Sequence, residues 1–122
     1  MGQINNKSKD FTRKGIEFEG KLVGYVDMTA IEKDTVELGI AIGESDLWGK
    51  GIGTKALLHT IENVSRSLGI TTFQAETQEE NVRSRGMLKK LGFKEIQSVV
   101  IENHIGTNDR IIQYELTLSG GV

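Results

Sequence analysis

Glycines 49, 51 and 53 alternate with Lys50 and Ile52 and lead straight into a helical pattern. Glycine at a helix start costs backbone entropy, so something must offset that cost. The first amides of a helix have no intrahelical acceptor and sit at the positive end of its dipole. A loop stripped of side chains in front of them lets phosphate oxygens reach the backbone, which makes an anion site. Other phosphate motifs fit less well. A P-loop needs glycine where Glu44 stands and Ser or Thr where Gly51 stands, so it is excluded. Gly51-x-Gly53-x-x-Ala56 matches the relaxed dinucleotide fingerprint, but that fingerprint follows its strand at once, and here Glu44 to Trp48 intervene. An ordinary glycine-rich turn is the plain alternative. The regular spacing, with a helix directly behind it, favours the anion site.

A second candidate is a carboxylate on a bare strand. In TVELGIAIG, residues 35–43, Val36, Leu38, Ile40 and Ile42 share one face; Glu37, Gly39, Ala41 and Gly43 share the other. The first face is core. The second is almost free of side chains except for Glu37, as if something lies against the strand, although packing under a helix would also suit small residues. Asn81 and Ser84 open another helical stretch, where both residue types satisfy backbone amides. His59 falls in a helix and His104 in a polar loop; with no second ligand at suitable spacing both read as structural, and no metal site is expected. Tyr25 and Tyr114 fall on strands as packing residues.

The elements that position these residues follow from periodicity. Residues 16–30 read as two strands around a turn at Glu19-Gly20-Lys21, followed after Glu32-Lys33-Asp34 by the alternating strand. From Gly51 to Leu68, the residues Ile52, Ala56, Leu57, Ile61, Val64 and Leu68 recur at helical spacing, and Gly69 caps the helix. Residues 70–78 are a strand, and 80–91 a helix with Met87, Leu88 and Leu91 inward, stopped by Gly92. Strands over 93–101 and 110–118 end the order. A helical crossover between strands implies an α/β (α+β) fold: a mixed, mostly antiparallel sheet with a central parallel pair and two main helices.

With 122 residues the chain forms one domain, residues 1–122, of which the polar stretch 1–15 is expected to be poorly ordered. The apolar share of 37% and charged share of 26% are ordinary for a soluble globular protein. A net charge of −2 provides no basic field for nucleic acid or an anionic membrane. The absence of cysteine removes disulfides, thiolate metal sites and cysteine nucleophiles together. The first fifteen residues hold no apolar run, Asn6 breaks the myristoylation pattern after Gly2, and no stretch reaches transmembrane length. A cytoplasmic location is expected. Fifteen glycines and no proline leave the turns to Gly, Asn and Asp.

The run ELGIAIGESDLWGKGIGTKAL resembles the cofactor motif of the GNAT superfamily of N-acetyltransferases, Gln/Arg-x-x-Gly-x-Gly/Ala. Trp48, Gly49, Lys50, Gly51, Ile52 and Gly53 stand on its positions. NVRSRGMLKKLGF resembles the second signature, an Asn and a Ser opening a helix that ends in Leu-Gly-Phe. The branches nearest in character are the ribosomal-protein and polyamine acetyltransferases, and the resemblance spans roughly Gly15 to Leu118. It implies the acyl-CoA N-acyltransferase fold, acetyl-CoA as co-substrate, and direct transfer to a primary amine on a small molecule, a protein N-terminus or a lysine. Trp48 to Thr54 would hold the pyrophosphate through backbone amides. Ile40, Ala41 and Ile42 would pair with the pantetheine arm as a further strand. Asn81 would hydrogen-bond the pantetheine, Ser84 would sit near the thiol, and Glu37 would take the amine's proton through water. Arg83, Arg85, Lys89 and Lys90 form a solvated helix face or meet the 3′-phosphate of CoA.

The chemistry asks for the same residue types. An amine attacks a thioester only when neutral, the carbonyl oxygen gains negative charge, and the departing thiolate wants a proton. The sequence departs from the family pattern in three places. Leu88 stands where many relatives carry an acid tyrosine, a loss of roughly 10²- to 10⁴-fold if nothing replaces it. Trp48 replaces Gln or Arg, at a position that acts through its backbone. The family also opens with a strand and two helices that build the acceptor pocket, where this sequence has some fifteen polar residues. Two further expectations follow: a non-catalytic acyl-CoA-binding or sensing module, or a homodimer that completes the acceptor side.

Overall fold

The computed structural model of the chain describes residues 11–43, 51–102 and 108–118. Along them run β1 (Phe11–Phe18), β2 (Lys21–Glu32), β3 (Thr35–Ile42), α1 (Ile52–Leu68), β4 (Thr72–Gln78), α2 (Val82–Lys90), β5 (Lys94–Glu102) and β6 (Asn108–Thr117). The strands form one sheet in the order β1-β2-β3-β4-β6-β5. Only β3 and β4 run parallel; the other neighbours are antiparallel. This is the mixed sheet with a central parallel pair expected from the sequence.

Local chemistry explains the boundaries. Glu19 and Gly20 both have positive φ, 53° and 78°. That is the backbone of a two-residue hairpin turn whose twist matches the flanking strands. The first described strand starts at Phe11 rather than Ile16, which corrects the expected unordered stretch for residues 11–15. Its polar residues are held across the ladder. Arg13 lies opposite Asp27 and donates to both carboxylate oxygens at 2.6 and 3.0 Å, with its guanidinium 3.9 Å from the centre of the Tyr25 ring. That hydrogen bond holds the Asp27 carboxyl below its usual range. Residues 1–10 lie outside the described set.

The carbonyl of Asp34, in the β2–β3 turn region, accepts from the amides of Thr71 and Thr72, both at 3.1 Å, and so ties the start of β4 to the start of β3. Both ends of α1 carry glycine in the left-handed region, Gly51 at φ 79° and Gly69 at φ 71°. The helix buries Ile52, Leu57 and Ile61 against Phe73 and Tyr114 of the sheet, both fully buried. Leu68, expected inward, is 69% exposed, because it occupies the last turn before the cap. In α2 the only buried residue is Leu88; Met87 and Leu91 pack at the core margin.

Gly24 of β2 shows how closely β3 is seated. A Cβ there would lie 2.1 Å from the Ala41 carbonyl oxygen and 3.0 Å from the Ile42 Cα, both backbone atoms that cannot swing aside. Gly24→Ala is therefore expected to destabilise the fold by about 1–3 kcal/mol or more. Chemical denaturation checks this; an unchanged midpoint would show that the β2–β3 spacing is slack.

Candidate functional site

The site begins where two strands part. The parallel ladder pairs Thr35 with Thr72, Val36 with Phe73 and Glu37 with Gln74, and ends there. Past that point β3 stays with β2 as far as the Gly24–Ile42 pair, while β4 stays with β6 as far as Gln78–Ile111. Each strand follows its own antiparallel partner, so a fork opens between them. A groove of about 550 Å³ lies along the β3 bank. Ile40, Ala41 and Ile42 form one wall, Gly51, Gly53 and Thr54 of the α1 start another, and Asn81, Arg83, Ser84, Gly86, Met87 and Lys90 the third. A smaller cavity of about 150 Å³ sits within the fork, between Leu38–Ile40 and Ala75–Thr77, and shares Ile40, Asn81, Ser84 and Met87 with the groove.

Residues far apart in sequence thus meet around one space: the alternating strand, the glycine-fronted helix and the Asn-Ser helix start. Gly51 caps α1 without any side-chain hydrogen bond, and no acidic residue stands in the first turn. The positive end of that helix therefore faces the groove uncompensated by a carboxylate of its own turn. Ile52 turns its side chain into the core, so its amide is what it can offer a ligand. Trp48, Gly49 and Lys50 lie outside the described residues, as does His104.

The glycines have different causes. Gly51 is required by its left-handed φ. Gly53 is favoured by packing: a Cβ would come 3.2 Å from the Met87 Sδ and 3.3 Å from the Ile40 Cδ1, so both side chains would have to shift by a few tenths of an ångström. Here α1, α2 and β3 converge, and the small residue lets them close. Gly86 was not singled out from sequence. A Cβ there would meet nothing within 4 Å, and the residue lines the groove. A glycine inside a helix, where it costs about 0.5–1 kcal/mol, was the available signal.

Asn81 accepts a hydrogen bond from the Ser84 amide at 3.1 Å, so it caps α2 and lines the groove at once. Ser84 is half-buried in the same wall. Glu37 is half-buried and lines neither cavity described above; it occupies the last rung before the fork, on the sheet face opposite the helices. Glu76, which sequence reasoning missed, lines the cavity in the fork and accepts from the Gln113 Nε2 at 3.2 Å. Strand alternation puts it on the same face as Glu37, two residues past Gln74. Nothing in a single sequence separates this carboxylate from a solvated strand residue.

Leu88, at the position of the family's acid tyrosine, is core. Neither tyrosine replaces it at the groove. Tyr25 lies under Arg13, and the Tyr114 hydroxyl accepts from the Arg85 Nε at 3.0 Å beneath α2. The basic residues of α2 divide accordingly. Arg83 and Lys90 line the groove, Arg85 turns inward, and Lys89 approaches Glu95 at 3.9 Å. His59 pairs with the Asn63 amide at 3.1 Å.

Arg85 also donates to the Glu95 carboxylate at 2.9 Å, and this bond is the main reason that the carboxyl is held below its usual range. A lowered folded-state value gives stability that is present above the ordinary carboxylate range and lost as pH falls through that lowered value. Wild type is thus expected to exceed Glu95→Gln in urea midpoint at neutral pH, with the gap closing on acidification. A gap that is independent of pH would contradict the pairing.

Comparison with known proteins agrees with this geometry. The chain is 36% identical over 72 residues to the uncharacterized protein MJ1062 of Methanocaldococcus jannaschii, covering 59% of this chain and 15% of that protein. It is 32% identical over 85 residues to alpha/beta-tubulin-N-acetyltransferase 9 of Homo sapiens, covering 67% of this chain and 41% of that one. The chain therefore spans less than half the length of either relative. Among solved structures, the ribosomal-protein-alanine N-acetyltransferase from Brucella melitensis superposes with a TM-score of 0.77 at 22% identity, over 88% of this chain and 69% of that one. The microcin C7 self-immunity acetyltransferase MccE, solved with acetyl-CoA and AMP, superposes at 0.78, also at 22% identity, over 88% and 61%. At these identities the likeness is one of fold. A family model described as acetyltransferase (GNAT) domain matches residues 3–94, a span that takes in both motifs and the fork, and on that match the chain belongs to the GNAT acetyltransferases.

Proposed function

We propose that the chain transfers an acetyl group from acetyl-CoA to a primary amine, with the fork and its groove as the cofactor site. The observation that carries this reading is the parting of β3 and β4 beside the α1 start and the Asn81–Ser84 turn. Pantetheine is extended and carries amides, so it suits the β4-facing edge of β3 at Ile40 and Ala41, past the last rung that β3 shares with β4. The amides at the start of α1, with Arg83 and Lys90 across the groove, suit phosphates. Trp48, Gly49 and Lys50 complete that loop in the proposal.

The residues divide the work as the chemistry requires. Glu37 and Glu76 flank the fork on the sheet face opposite the helices, and one of them takes a proton from the incoming amine, directly or through water. The amine nitrogen then bonds to the acetyl carbon as the carbon–sulfur bond breaks. A backbone amide of β3 stabilises the developing oxyanion, and Ser84 or water returns a proton to the sulfur. Carboxylates around the mouth favour a cationic acceptor. The similarity to proteins named as tubulin and ribosomal-protein N-acetyltransferases supports a protein amine as one such acceptor.

The test is thiol release from acetyl-CoA with spermidine, a lysine peptide and a peptide with a free N-terminus. Saturable release with at least one acceptor is expected. Glu37→Gln or Glu76→Gln should lower kcat by roughly 10²- to 10⁴-fold for whichever carboxylate is the base, with the dissociation constant for acetyl-CoA unchanged. Binding of acetyl-CoA without release for any acceptor would overturn transfer and leave a sensing module.

A further inference from the structure

We propose that Arg85 is a positioning residue that sets the cofactor-facing turn of α2 from behind; this rests on the acetyl-CoA reading of the groove. The helix needs such a device. Only Leu88 among its residues is buried, so apolar packing alone anchors it weakly. Yet its N-terminal turn brings Asn81, Arg83 and Ser84 to the groove wall.

Arg85 follows Ser84 directly and points the other way. Its guanidinium donates to the Glu79 carbonyl at 3.0 Å, the Tyr114 hydroxyl at 3.0 Å and the Glu95 carboxylate at 2.9 Å. Those acceptors belong to the turn after β4, to β6 and to β5. One planar side chain thus pins α2 to three parts of the sheet layer. The geometry is selective. Arginine presents its donors in a rigid fork, whereas a lysine ammonium is a single point on a flexible stem and cannot span three acceptors in fixed directions. Tyr114 is fully buried, so its hydroxyl marks a fixed place that the helix is drawn to. Arg85 is not among the groove-lining residues, so its effect on a ligand passes through Ser84 and Asn81.

Calorimetric titration of acetyl-CoA into folded wild type, Arg85→Gln, Arg85→Lys and Tyr114→Phe tests the assignment, at a temperature well below each protein's melting point. Arg85→Gln is expected to bind roughly ten-fold more weakly, with Arg85→Lys failing to restore affinity and Tyr114→Phe intermediate. Amide exchange in the ligand-free protein should be faster at Arg83 to Arg85 in the Gln variant. Wild-type affinity in Arg85→Gln would overturn the proposal even if melting falls, since a merely structural contact would behave so. Full rescue by Arg85→Lys would also overturn it, because charge alone would then suffice. If wild type itself fails to bind, the acetyl-CoA reading falls first and this assignment with it, a failure visible without any variant.

Discussion

The short parallel ladder between β3 and β4 governs the rest of the structure. The two strands share their rungs only from Thr35 to Glu37, and each then runs on with an antiparallel partner of its own. Antiparallel pairing is slightly more stable per residue than parallel pairing, and both outer ladders are long, so the centre of the sheet yields. A sheet interior rarely leaves backbone donors and acceptors facing a gap. Here Leu57 of α1 and Met87 and Leu88 of α2 line the cavity between the parted strands. The result is a strand edge inside the molecule rather than at its margin, the kind of surface that an extended, amide-bearing ligand can continue.

Around that fork, the packing of the elements and the lining of the groove draw on the same residues. Gly53 lies close to the Met87 and Ile40 side chains, where the start of α1 approaches α2 and β3. Gly24 lets β2 close on Ala41 and fixes the wall from the other side. Asn81 satisfies the Ser84 amide while it lines the groove, so one residue both caps α2 and shapes the cavity. The polar α2 relies on directional bonds where apolar area is scarce; Arg83 and Lys90 line the cavity while Arg85 is turned inward.

The fold was largely legible because its signals are local. Alternation in residues 35–42 and helical spacing from Ile52 to Ile61 each report a buried face, and the glycines at 20, 51 and 69 mark places where φ turns positive. Ends of elements were less legible. Phe11–Gly15 looked like a loose polar segment because its stability comes from Asp27 and Tyr25, partners beyond the next turn. Ile40 to Ile42, Gly51 to Thr54, Asn81 and Ser84 were readable through the resemblance of two motifs, whereas Gly86 of the same groove was not. Glu76 and Arg85 were not. Their roles depend on a register with β6 and on Tyr114, 29 positions away from Arg85, and side-chain type alone carries no trace of either.

The central claim is that acetyl-CoA lies in the fork as a further strand. An amide-resolved nuclear magnetic resonance titration of the isotope-labelled chain with acetyl-CoA tests it most directly. The account predicts saturable shifts at Ile40 to Ile42, at Gly51 to Thr54 and at Asn81 to Ser84 together, with one common affinity. Saturable shifts confined to the start of α1, with the β3 amides unmoved, would contradict it: the glycine-fronted helix would then bind phosphate alone, and the parted strands would serve the fold without serving the ligand.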